Sequence, residues 1–93
     1  MVTAMIFVNV ERGLVSAVME EMLRIPGITE VHSLAGEYDL AVVARVGSNR
    51  ELSEILADRM CHKIRGITHT RTWIALDSHY NYDVRKITQT RRK

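Results

Sequence analysis

The stretch 33–46, SLAGEYDLAVVARV, runs from a bend carrying Gly36, Glu37, Tyr38 and Asp39 into an unbroken series of β-forming residues. Buried hairpins usually turn on small residues such as Asn-Gly or Gly-Gly. Here two acids and a tyrosine crowd the bend, and an apolar strand follows at once. Within residues 38–46, Leu40, Val42, Ala44 and Val46 fall on one face and Ala41 and Val43 on the other. A strand that is apolar on both faces belongs in the middle of a sheet.

The same reading applies to residues 3–11, TAMIFVNVE. Ala4, Ile6, Val8 and Val10 alternate there with Met5 and Phe7. Between these two strands the period changes. In residues 13–25, Leu14, Val15, Val18, Met19, Met22 and Leu23 share one helical face, with Ser16, Glu20, Glu21 and Arg24 largely opposite. The helix stops at Ile25-Pro26-Gly27, because proline disfavours helical backbone in the residue before it and glycine permits the turn. Residues 28–35 form a further strand.

Downstream of the opening stretch, Ser48 and Glu51 have the spacing of a helix capping box. A second helix is expected over 50–65, with Leu52, Ile55, Leu56, Met60 and Ile64 inward and Gly66 at its C-terminal cap. Residues 67–76, ITHTRTWIAL, form the last strand. The order is β-α-β-β-α-β, which predicts an α+β, ferredoxin-like sandwich with an antiparallel sheet of order 4-1-3-2. The two strands that are apolar on both faces are then the central ones. Two helices cover one face only, so Met5, Phe7, Ala41 and Val43 are left on the other. That face predicts a homodimer packed sheet to sheet.

The 93 residues suffice for one domain, with an ordinary 46% hydrophobic content. A domain this size buries only about two thirds of its unfolded surface, and so gains from assembly. Residues 1–77 carry eight Lys/Arg against ten Asp/Glu, whereas residues 78–93 carry five basic residues and one acid. The division expected is a mildly acidic domain over 1–77 and a basic C-terminal tail over 78–93. An acidic body argues against DNA binding by the domain itself. The single cysteine excludes an internal disulfide. Nothing reads as a secretion signal or a membrane span, which makes a cytoplasmic setting the expectation.

The sequence offers little catalytic chemistry. Cys61 and His62 are adjacent on a helix and so do not face each other, and Cys61 reads as a small residue near the core edge. His32, His62, His69 and His79 lack metal-ligand spacing, and the five glycines are scattered rather than gathered into a phosphate-cradling loop. No catalytic residue, metal site or cofactor is expected. RNA-binding modules of this topology stack bases on aromatics of strands 1 and 3; here only Phe7 is available. Two polar features remain. Backbone N–H groups of the bend Gly36–Asp39 form a potential anion-binding concavity beside carboxylates. Thr68, Thr70 and Thr72 alternate along the last strand, where hydroxyls can flank a small polar ligand.

Taken together, the Pro26-Gly27-Ile28 turn, the Gly36-Glu37-Tyr38-Asp39 bend, the second Gly66-Ile67 and the Thr70-x-Thr72 pair resemble the effector-binding domain of the Lrp/AsnC family of transcription regulators. The resemblance covers residues 3–77. It implies an αβ-sandwich that dimerises through its sheets and assembles into rings, with amino acids or related metabolites bound between neighbouring dimers. By position it implies effector contacts from Gly36, Glu37, Tyr38 and Asp39 and from Thr70 and Thr72; Thr68 joins them by its place in the stripe.

Full regulators of that family carry a helix-turn-helix domain ahead of this one. The chain starts directly at strand 1, so the expectation is a stand-alone sensor that does not bind operators itself and acts with full-length Lrp/AsnC regulators. The alternative is a small dimeric αβ-barrel enzyme, monooxygenase- or isomerase-like, with His32 and Asn9 as its only candidate groups.

Overall fold

In the computed structural model, residues 1–82 are described; residues 83–93, most of the basic tail, lie outside them. Four strands and two helices appear in the expected order: β1 (Val2–Val10), α1 (Val15–Leu23), β2 (Ile28–Ser33), β3 (Leu40–Val46), α2 (Asn49–Glu54) and β4 (Ile67–Ile74). All strand pairs are antiparallel and the sheet order is β2-β3-β1-β4. This is the 4-1-3-2 arrangement, with β1 and β3 central.

The alternation in the central strands decides where the core lies. Ala4, Ile6 and Val8 of β1 and Leu40, Val42 and Ala44 of β3 are completely buried. They meet Val18 and Met22 of α1 and Leu52 of α2 in one apolar cluster. Leu14, Val15 and Met19 pack at its margin. Leu23 does not, and is 55% exposed. It follows Val18 by five residues, about 140° around a helix of 3.6 residues per turn, beyond the stripe that the sheet covers.

The second helix departs from expectation. After Glu54 it continues as a π-helical stretch, Ile55–Met60, and ends there rather than at residue 65. An α-helix would rotate Met60 well away from Ile55, whereas i→i+5 winding brings residues five apart into line. Both are buried. Cys61, just past the end, is exposed rather than at the core edge. At the start of α2 the Ser48 hydroxyl accepts from the Glu51 amide at 3.2 Å, and the Glu51 carboxylate accepts from the Gly47 amide at 3.4 Å. The turn after α1 closes on Gly27, with φ of 99°.

The second sheet face is open. Directly opposite one another on β1 and β4, Met5 and Trp73 are 47% and 58% exposed. Phe7, Ala41 and Val43 are half-buried beside them. One corner is polar. There the Arg45 Nη1 donates to Thr29 Oγ1 at 2.6 Å and to Glu30 Oε2 at 3.2 Å. The guanidinium carbon lies 5.7 Å from the centre of the Tyr80 ring, which the chain carries back over this corner after β4. Among the described residues, no helix is long and apolar enough to cross a membrane.

Candidate functional site

The bend between β2 and β3 is built from strand β1. Pairing of β1 with β3 ends at Val8 and Leu40. Beyond that point Asp39 replaces the missing ladder with both of its polar ends. Its amide donates to the Val8 carbonyl at 3.0 Å, and its carboxylate Oδ2 accepts from the Val10 amide at 2.8 Å. The Leu34 amide donates to the Asp39 carbonyl at 2.8 Å, closing the base of the bend. From the side, the Asn9 Nδ2 donates to the Glu37 carbonyl at 3.0 Å and, at 3.4 Å, to Asp39 Oδ2.

These bonds sort the bend residues. Asp39 turns inward onto β1, Glu37 stands exposed, and Gly36 is exposed with nothing within 4 Å of where a Cβ would sit. Tyr38 lies back on the open sheet face. Its ring centre is 5.6 Å from that of Phe7 and 6.4 Å from that of His69, nearly parallel to the latter. Among the described residues, the N–H groups of Ala35, Gly36, Glu37 and Tyr38 make no hydrogen bond within the chain. They form a short run of free donors beside one exposed carboxylate.

The threonines lie elsewhere. Thr70 pairs with Val8 and Thr72 with Ile6, so both belong to the helix-covered face at the β4 edge, half-buried. Residues directly opposite on antiparallel strands share a face; His69, opposite Asn9, therefore belongs to the other face with Tyr38. The β1–β4 register shifts between Asn9 and Val10, leaving Thr68 exposed at a bulge between the paired residues Ile67 and His69. The three threonines do not form one continuous stripe, and within one chain the pair Thr70/Thr72 and the side chain of Tyr38 occupy opposite faces of the sheet.

His32 and Asn9 do not converge on a common centre. His32 Nε2 bonds Glu30 Oε1 at 2.9 Å at the β2 edge, while Asn9 is committed to the bend. The Glu30 carboxyl is held below its ordinary value, first by His32 and, against the opposing effect of burial, also by Arg45. Among the described residues no cluster of His, Cys, Asp or Glu has the makings of a metal site.

Residues 3–84 match the Lrp/AsnC ligand binding domain. The chain belongs to that family. An uncharacterised HTH-type transcriptional regulator of Pyrococcus abyssi is 38% identical over 61 residues, 66% of this chain and 40% of that protein. The HTH-type transcriptional regulator FL11 of Pyrococcus furiosus is 33% identical over 78 residues, 84% of this chain and 50% of the relative. The Lrp/AsnC chain described here thus spans half the length, or less, of these curated relatives. The crystal structure of FFRP-DM1 superposes with a TM-score of 0.76 at 33% identity, over 82% of this chain and 100% of that one. The fold and the family are those that the Gly-x-Tyr-Asp bend and its companion motifs imply, and the relatives are transcription regulators.

Neither the bulge nor the Asn9 contact was legible from spacing. Both depend on pairs of residues far apart in the chain. The nearest sequence signal is a polar Asn9 interrupting the apolar run Ala4–Val10 of β1.

Proposed function

We propose that this chain is the small-molecule-sensing part of a transcription-regulatory assembly, and that it binds an amino acid or a related small metabolite at the bend Gly36–Asp39. The observation that carries the reading is the run of free N–H groups over 35–38, held in place by Asp39 and Asn9 in a domain of a ligand-binding family. A row of N–H donors of this kind suits a carboxylate. The exposed Glu37 is available for an ammonium group; the carboxylate of Asp39 already holds the Val10 amide and serves the bend itself.

The open face carrying Met5, Phe7, Val43 and Trp73 supports a homodimer packed sheet to sheet, with higher rings built from it. A ligand that meets both the bend and the Thr70/Thr72 pair takes them from different copies, and Thr68 at the bulge borders the same edge. Binding between copies couples occupancy to assembly by mass action, and through assembly to association with full-length Lrp/AsnC regulators. Direct DNA binding by this domain is not part of the reading, nor are catalysis, a metal, a cofactor or a membrane.

Isothermal calorimetry against the twenty amino acids, with light scattering on the same samples, is the test. Saturable binding of one or a few, accompanied by a change in mass, is expected. An intact assembly that binds none of them overturns the reading.

A further inference from the structure

We propose that Asn9 is a positioning residue for the ligand bend: its carboxamide, projecting from β1, fixes the path of residues 37–39 and so the direction in which the free N–H groups point. The inference rests on the bend being the ligand site, and it extends that site to a strand outside the bend motif.

Three features of Asn9 lead here. It is the first β1 residue past the last β1–β3 pair, and the β1–β4 register shifts immediately after it. The β1–β3 ladder has therefore ended at this level, while Asn9 itself stays paired with His69 of β4 on its other side. Next, the two hydrogens of one Nδ2 are divided between two acceptors of the bend, the Glu37 carbonyl at 3.0 Å and Asp39 Oδ2 at 3.4 Å. Only a primary amide offers two coplanar donors from one atom at this reach. A serine hydroxyl offers one, and a carboxylate offers none and would face the carboxylate of Asp39. Finally, Asp39 Oδ2 also takes the Val10 amide, so Asn9, Val10 and the bend meet at one oxygen. Removing the Asn9 donors leaves the Glu37 carbonyl without this partner and frees the stretch that carries the N–H row, while the buried side chains of β1, Ile6 and Val8, are untouched.

The test uses the full chain with Asn9→Asp and Asn9→Ser, and two readouts. Amide hydrogen exchange follows Leu34, Asp39 and Val10, whose N–H groups make the bend bonds, against Ile6 and Val42 in the central strands. Calorimetry follows whichever of the twenty amino acids binds the parent protein most tightly. In Asn9→Asp the bend amides exchange about tenfold faster or more, the size of one lost hydrogen bond. The core amides hold their rates, and affinity falls about ten- to a hundredfold. Asn9→Ser, whose hydroxyl lies one bond nearer the backbone and brings no charge up to Asp39, accelerates the same amides but less than Asn9→Asp does. Parent-like exchange at Leu34, Asp39 and Val10 in Asn9→Asp overturns the proposal. So does acceleration shared equally by Ile6 and Val42, which marks a role in global stability only. If no amino acid binds the parent protein, the ligand reading falls by itself, and the exchange rates still decide whether Asn9 holds the bend.

Discussion

The carboxylate of Asp39 accepts the amide proton of Val10 at 2.8 Å, across 29 positions of sequence. β3 begins only at Leu40, so Val10 faces no strand residue on that side and the side chain supplies the acceptor that a longer β3 would have provided. Asp39→Ala removes a charge-assisted bond and leaves the Val10 amide without this acceptor, at an expected cost of about 1–3 kcal/mol. Asp39→Asn keeps a carbonyl oxygen in the same place and is expected to cost less. Urea denaturation of the two variants checks the order.

The same residue shows how far the sequence could be read. That Asp39 sits in a bend before a buried strand follows from local alternation, and so do the central positions of β1 and β3, because a side-chain period of two is a local property. Which group Asp39 bonds is not local. Val10 comes within reach only after β1 and β3 pair, and the register shift at Asn9 that separates Thr68 from Thr70 arises from the same long-range pairing. The exposure of Leu23 has a similar origin. Apolar periodicity marks a helix face, but the sheet decides how much of that face it covers.

Gly36 and Gly27 make a matched pair of probes. A Cβ added at Gly36 meets nothing within 4 Å, and its φ is not positive. Gly36→Ala is therefore expected to change stability by no more than about 0.5 kcal/mol, so any loss of amino-acid binding in that variant reports on the bend rather than on the fold. At Gly27 an added Cβ would stand 2.8 Å from Val46 Cγ1 and 3.3 Å from Ile55 Cδ1, on a backbone with φ of 99°. Gly27→Ala is expected to destabilise by about 1–2 kcal/mol or more, from left-handed backbone strain before any clash. Thermal unfolding of both variants, beside calorimetry of the first, makes the comparison.

Met5 and Trp73 face each other across β1 and β4 on the open side of the sheet. If that side pairs with a second copy, Met5→Lys places an ammonium group in an apolar contact and breaks it. Desolvating a lone charge costs several kcal/mol, which weakens the dimer by about a hundredfold or more. Multi-angle light scattering at micromolar concentration is expected to show the parent as at least a dimer and Met5→Lys as a monomer. Leu23→Lys, on the helix side and equally exposed, is the control and leaves the mass unchanged. A parent protein that is monomeric, or a Met5→Lys protein that keeps the parent's mass, refutes sheet-to-sheet pairing.

Glu30 sets a pH dependence of definite sign. In the folded chain its carboxyl titrates below the ordinary value of 4.5, held down first by the bond from His32 and then, against burial, by Arg45. The native state thus binds the proton less readily than the unfolded chain does. The stabilisation from ionised Glu30 is complete above the unfolded value and disappears as pH falls through the lower folded value. The His32 side chain is 57% exposed and that of Glu30 36%, so solvent screens the pair and keeps its contribution at neutral pH to no more than about 1 kcal/mol. Glu30→Gln is expected to lower the unfolding temperature slightly at pH 7 and to flatten the decline in acid, so that the two proteins converge once the pH has fallen below the lowered folded value of Glu30. His32→Ala shifts the parent curve in the same direction. Calorimetric unfolding between neutral and acid pH reads the slope directly, and an acid limb unchanged in Glu30→Gln would show that other carboxylates set it.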